Sequence, residues 1–125
     1  MTLVLDAGAL LALERNERPM WVRLKAAVLD ANVPLTHAGV LAQVWRGGAR
    51  QARLVLALEG IDIVDIDEDS ARAIGRLLGA AQMSDVIDAG VVLFCRDGDT
   101  IVTSDPADLE ALASTAGRHV EIIHP

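Results

Sequence analysis

Apolar residues along the chain alternate between two periods, and the alternation predicts strands separated by helices. Thr2–Asp6 is a short apolar run ending in an acid, the pattern of a buried strand. Ala7–Glu14 follows as a short helix, which Asn16-Glu17-Arg18-Pro19 breaks. From Met20 to Ala31, apolar residues at 20, 21, 24, 27 and 28 keep a helical period, with Arg23, Lys25 and Asp30 outside it. Val33–Thr36 is a second strand, and Gly39–Trp45 a helix that Gly47-Gly48 interrupts before another helix over Ala49–Leu58. Ile61–Ile66 is strand-like but carries acids, which suits an edge strand. Asp67–Ala80 is a helix with Asp67 as its cap. An almost wholly apolar helix then begins at Ser84-Asp85, followed by a DGD turn, the short strand TIVT, a further helix from Asp105, and a last strand over Val120–Ile123. Strands alternating with helices through short connections mean an α/β domain with a central parallel sheet flanked by helices.

Composition narrows this picture. A chain of 125 residues, 52% hydrophobic, makes one domain (1–125) with a single core. No apolar run reaches the ~18–20 residues of a membrane span, and no signal-peptide pattern is present. Cys95 stands alone inside the apolar helix, so a disulfide framework is excluded and a reducing cytoplasm fits. A formal charge of −7 argues against a general nucleic-acid coat protein, though not against a nuclease whose negative charge is gathered at a metal site.

The acids carry the chemistry. Asp85 and Asp88 are three residues apart and would share one helix face; Asp105 and Asp108 repeat that spacing. Each acid has an ordinary reading first. Asp105 before Pro106 fits a helix N-cap, Ser84-Asp85 fits the same role one helix earlier, and Asp6 could cap the first helix. Together they suggest more, because Asp6 and Asp105 both follow a buried strand and precede a helix. Those places lie along the ligand-binding edge of an open parallel sheet. Carboxylates gathered there need a counter-charge, yet the only Lys is the distant Lys25 and the nearest Arg is Arg96. A hard divalent cation is the economical partner. Phosphate-loop, dinucleotide-turn, zinc-helix and serine-nucleophile motifs are absent, and the three His are scattered. His37 is weighed as a core residue first and a neighbour of the acids second.

Four segments, LVLDAGALLAL, VLAQVWRGGARQARL, SDVIDAGVVLFCR and TIVTSDPADLEAL, together resemble the landmarks of the PIN domain, and among its branches the VapC-type ribonuclease toxins of toxin–antitoxin pairs. The resemblance covers essentially the whole chain. It implies a metal-dependent endoribonuclease in which Asp6, Asp88 and Asp105 are catalytic, with Asp85 an added acid, all four holding Mg²⁺ or Mn²⁺. Gln43, Asp108 and Thr103 are weaker or outer candidates, and a homodimer and a cognate antitoxin protein are the implied partners beside the RNA. The sequence departs from the family at Gln43, where a Glu is usual, and at Gly8, where a hydroxyl residue often follows the first acid. Arg46, Arg50 and Arg53 would share a face and grip RNA phosphates if their helix ran through Gly47-Gly48. Glu14 is assigned to the surface, and Trp21 and Trp45 to apolar faces. The competing reading is a non-catalytic PIN-like interaction module, favoured by Gln43.

Overall fold

The computed structural model describes all 125 residues. Five strands, β1 (Leu3–Leu5), β2 (Leu35–His37), β3 (Asp62–Val64), β4 (Thr100–Val102) and β5 (Glu121–Ile123), form one sheet in the order β3-β2-β1-β4-β5. Every neighbouring pair is parallel. The central strands β1 and β4 are buried along their whole length, because helices cover both faces of a parallel sheet and leave no wet side. The acid-bearing β3 lies at an edge, as its mixed pattern predicts.

Seven α-helices connect the strands: α1 (Ala7–Glu14), α2 (Arg18–Leu29), α3 (Ala38–Val44), α4 (Ala52–Leu58), α5 (Glu68–Ala81), α6 (Val86–Leu93) and α7 (Ala107–Ala116). α1 packs on α2, α3 and α4, whereas α5, α6 and α7 pack on one another. The first group belongs to connections that move outward from β1 to β3, the second to connections that move back through β4 to β5. Crossovers of one hand that travel in opposite directions fall on opposite faces of the sheet. The core between the layers includes Leu5, Leu10, Leu13, Met20, Leu54, Ile101, Leu109 and Leu112. Cys95 lies in that core, its thiol bonded to the Val91 carbonyl, and burial pushes it up to about 12, so it is an unreactive packing residue. No helix is long and apolar enough to cross a membrane.

The strand order fixes where a site can be. It reverses between β1, whose chain continues toward β2 and β3, and β4, which leads to β5. The crevice beyond the carboxyl ends of these two strands is the place where open parallel sheets bind ligands. Asp6 ends β1, and Thr103-Ser104-Asp105 ends β4.

Two sequence expectations change. Met20–Ala31 becomes α2 from Arg18 to Leu29, with Pro19 in the first turn, where its missing N–H costs no hydrogen bond. The proposed continuity of Arg46, Arg50 and Arg53 is lost. α3 ends at Val44, Gly47 and Gly48 take φ of +77° and +96°, and a short 3₁₀ turn (Ala49–Gln51) precedes α4. Left-handed backbone at two successive residues is inexpensive only for glycine and cannot be helical. Arg46 and Arg50 therefore line one cavity, while Arg53 lines another with Arg18, Trp21 and Lys25.

Candidate functional site

Asp6 follows β1 at the position of a helix cap but does not act as one, since its side chain makes no bond to the first turn of α1. It is 8% exposed, and its Oδ2 accepts from Thr103 Oγ1 at 2.8 Å. Its own N–H donates to the Val102 carbonyl, which ties the end of β1 to the end of β4. Burying a carboxylate with one neutral hydroxyl as its only side-chain partner is costly, and Asp6 is not in an ion pair. Thr103 is itself buried, and its oxygen also accepts from the Asp105 N–H at 3.1 Å. One hydroxyl thus sets both the first acid and the turn that carries the third.

Asp85 does behave as a cap. Its Oδ1 accepts from the N–H groups of Ile87 and Asp88 at 2.9 and 3.0 Å, so it precedes α6 rather than sharing a face of it with Asp88. One of its oxygens is thereby committed to starting the helix. Asp105 is not the cap of α7; Pro106 takes that position, and the exposed Asp105 makes no side-chain hydrogen bond. Asp108 is in the first turn of α7 and also exposed.

Asp88 is where these acids converge. Its pKa is pushed up to about 7, first by burial and then by the negative charges of Asp85, Asp6, Asp108 and Asp105. No positive group offsets them, and the one ion pair in the molecule is the exposed Arg72–Glu68 pair far along the chain. Four acids from three segments thus act on Asp88, and no protein cation offsets them. That donor set, all carboxylate and hydroxyl oxygen, suits Mg²⁺ or Mn²⁺. No three His, Cys, Asp or Glu side chains stand close enough together to hold a metal ion.

His37 supports the same place from beneath. It ends β2, is buried, and its Nδ1 accepts from the Gly39 N–H at 3.0 Å, which leaves Nε2–H to donate to the Ile87 carbonyl at 2.9 Å. Burial lowers its pKa, against smaller upward effects of that carbonyl and of Asp6, so the ring is neutral. Two glycines make room for it: a Cβ at Gly90 would lie 2.8 Å from Nε2, and one at Gly39 would lie 2.8 Å from Cε1. The His thus joins the sheet to the turn of α6 that carries Asp88. Gly8 has a comparable reason, because Ser104 passes so close that a Cβ there would come within 2.8 Å of Ser104 Cβ.

A cavity of about 390 Å³ is lined by Gln43, Glu14, Arg46, Arg50 and Gln51, with Ala7, the residue after Asp6, on its wall. Gln43 is exposed. Glu14, expected on the surface, instead accepts from Gln51 Nε2 at 2.6 Å. Gln51 is buried and is the residue that sequence reasoning missed. Its Oε1 accepts from the Arg46 and Gly47 N–H groups, both at 2.9 Å, and its Nε2 also donates to the Val44 carbonyl at 2.7 Å. A glycine pair that ends a helix leaves backbone groups needing partners, and a polar residue a few positions on is the only signal of this in the sequence.

No family model matches the chain, and no curated protein matches it significantly.

Proposed function

We propose that the chain is a metal-dependent endoribonuclease of the PIN-domain kind, acting as the toxin of a toxin–antitoxin pair. The observation that supports this reading is the negative charge that Asp85, Asp6, Asp108 and Asp105 exert on a half-buried Asp88, with no protein cation offsetting it. Asp6, Asp88 and Asp105 would be the main ligands of Mg²⁺ or Mn²⁺, with Asp85 contributing its uncommitted oxygen and Asp108 and Gln43 standing further out. The bound ion would acidify a water and offset charge developing on the phosphate. Thr103 holds Asp6 in place, and the cap made by Asp85 together with His37 holds the turn bearing Asp88. Arg46 and Arg50, which are in no ion pair, would meet the RNA phosphates; Arg53 lines a different cavity.

Partners follow the same reading. Trp45 is 42% exposed, not core-facing, and lines an apolar hollow with Ala38, Leu41, Ala42 and Leu58. Leu29 and Leu56 are exposed beside a second apolar hollow between α2 and α4. Such surfaces suit a homodimer and an antitoxin protein, and the cytoplasm is the compartment in which that pair would work.

The deciding experiment is calorimetric titration of Mn²⁺ into wild type, Asp6→Asn and Asp88→Asn, with cleavage of an RNA pool followed in the same buffers. Binding and cleavage by the wild type, both lost in the two variants, is the expected result. Absence of binding at millimolar metal would sink the nuclease reading and favour a non-catalytic interaction module, the alternative that an exposed Gln43 in place of an acid supports.

A further inference from the structure

The cavity that reaches Ala7, the residue after Asp6, has a chemistry of its own. Arg46 and Arg50 line it together with Glu14, whose carboxylate accepts from the buried Gln51. Arg46 is oriented too: its Nη1 donates to the Trp45 carbonyl at 2.7 Å and more weakly to that of Ala42, leaving its other N–H groups free. Leu11 and Val44 supply an apolar lining, and about 390 Å³ is room for one nucleotide base. The pocket therefore presents donors, a two-oxygen acceptor and apolar surface together.

We propose that this pocket binds a guanine nucleotide of single-stranded RNA beside the phosphodiester to be cut; the inference rests on the nuclease reading. Among the four bases, guanine alone sets two donors, N1–H and N2–H, side by side against a carboxylate such as Glu14. Adenine and cytosine place an acceptor beside their amino group, and uracil flanks its N3–H with carbonyls that a carboxylate repels. Guanine's opposite edge, O6 and N7, accepts from an Arg fork, leaving the second arginine for phosphate. The bond from Gln51 leaves Glu14 lone pairs on both oxygens. Glu14 and Gln51 thus act together, the second aiming the first.

The test is a titration of the protein, with EDTA present, by the four 5′-monophosphates and by two RNA hexamers, hexauridylate and the same hexamer with one guanosine. Binding is followed at the backbone amides of Gly47, Gly48 and Gln51 by NMR. GMP is expected to bind at least about fivefold more tightly than the other mononucleotides, the discrimination one good bidentate base contact gives. The guanosine hexamer should bind more tightly than GMP. Glu14→Gln should abolish the preference while keeping binding, and Arg50→Gln should weaken all ligands alike. Equal binding of the four nucleotides, or a preference that survives Glu14→Gln in a protein with unchanged melting temperature, overturns the proposal. GMP held as tightly as the hexamer overturns the assignment to RNA. Cleavage of RNA with no guanosine beside the cut sinks this inference but not the nuclease reading. Tight guanosine-hexamer binding without cleavage in Mn²⁺ sinks the nuclease reading and leaves the pocket standing.

Discussion

Thr103 Oγ1 lies 2.8 Å from Asp6 Oδ2, and this bond joins the end of β4 to the acid at the end of β1. Asp6 makes no side-chain bond to the first turn of its own helix, and this hydroxyl is its one side-chain partner. Thr103→Val, nearly isosteric, leaves the buried carboxylate without its donor. It is expected to cost about 1–3 kcal/mol in urea unfolding at pH 7, the range for an orphaned buried polar group. Thr103→Ser should recover most of the loss. Equal stability of the Val and Ser variants would show that water replaces the hydroxyl.

Asp88 gives the protein a pH signature. Its folded pKa, about 7, stands above the ordinary carboxylate value of 3.8, so the folded chain holds this proton more tightly than the unfolded one. The contribution is fully present below pH 3.8 and is lost as pH rises to about 7. Asp88→Asn keeps the neutral shape at every pH. In EDTA it should be more stable than wild type at pH 8 by on the order of 1 kcal/mol, after allowance for solvent screening of a half-buried group, and no more stable at pH 3.5.

Metal should reverse that order. Mn²⁺ at about a hundredfold excess over its Kd would stabilise the wild type by roughly 2.7 kcal/mol. Above pH 7, where Asp88 is ionised, its melting temperature should rise with Mn²⁺, while that of Asp88→Asn stays flat. An equal rise in both proteins would place the ion elsewhere.

His37 and Gly90 should behave as one unit, since a Cβ at Gly90 would lie 2.8 Å from the ring nitrogen. Gly90→Ala gains helix propensity of about 1 kcal/mol but overpacks the ring at a cost of about 1–3 kcal/mol. In a His37→Ala background the cost disappears and the gain remains, so the same substitution should turn stabilising. A double-mutant cycle measured by denaturant unfolding should show coupling of about 0.5–3 kcal/mol. Additive effects would mean that the ring moves aside.

Gln51→Leu tests the glycine loop. It leaves the Arg46 and Gly47 N–H groups and the Val44 carbonyl without their partner, at about 1–3 kcal/mol for each group that stays buried. Amide exchange should accelerate at Trp45–Gly48 well before it does in β1 or β4.

The local pattern by itself determined the alternation of strands and helices, because burial on both faces and the 3.6-residue period leave direct marks in the order of residues. Asp67 and Asp85 were legible as caps for the same reason, a cap being set by neighbours two or three positions away. Asp6 and Asp105 looked like caps on the same grounds and are not. The side chain of Asp6 is held instead by Thr103, which is 97 residues away and adjacent to it only because β1 pairs with β4. Strand order also decided that acids from three segments act on Asp88, that Glu14 lines a cavity, and that a buried His37 braces α6. Such relations depend on contacts between distant segments, and a linear pattern records which residues must be buried but not which of them will meet.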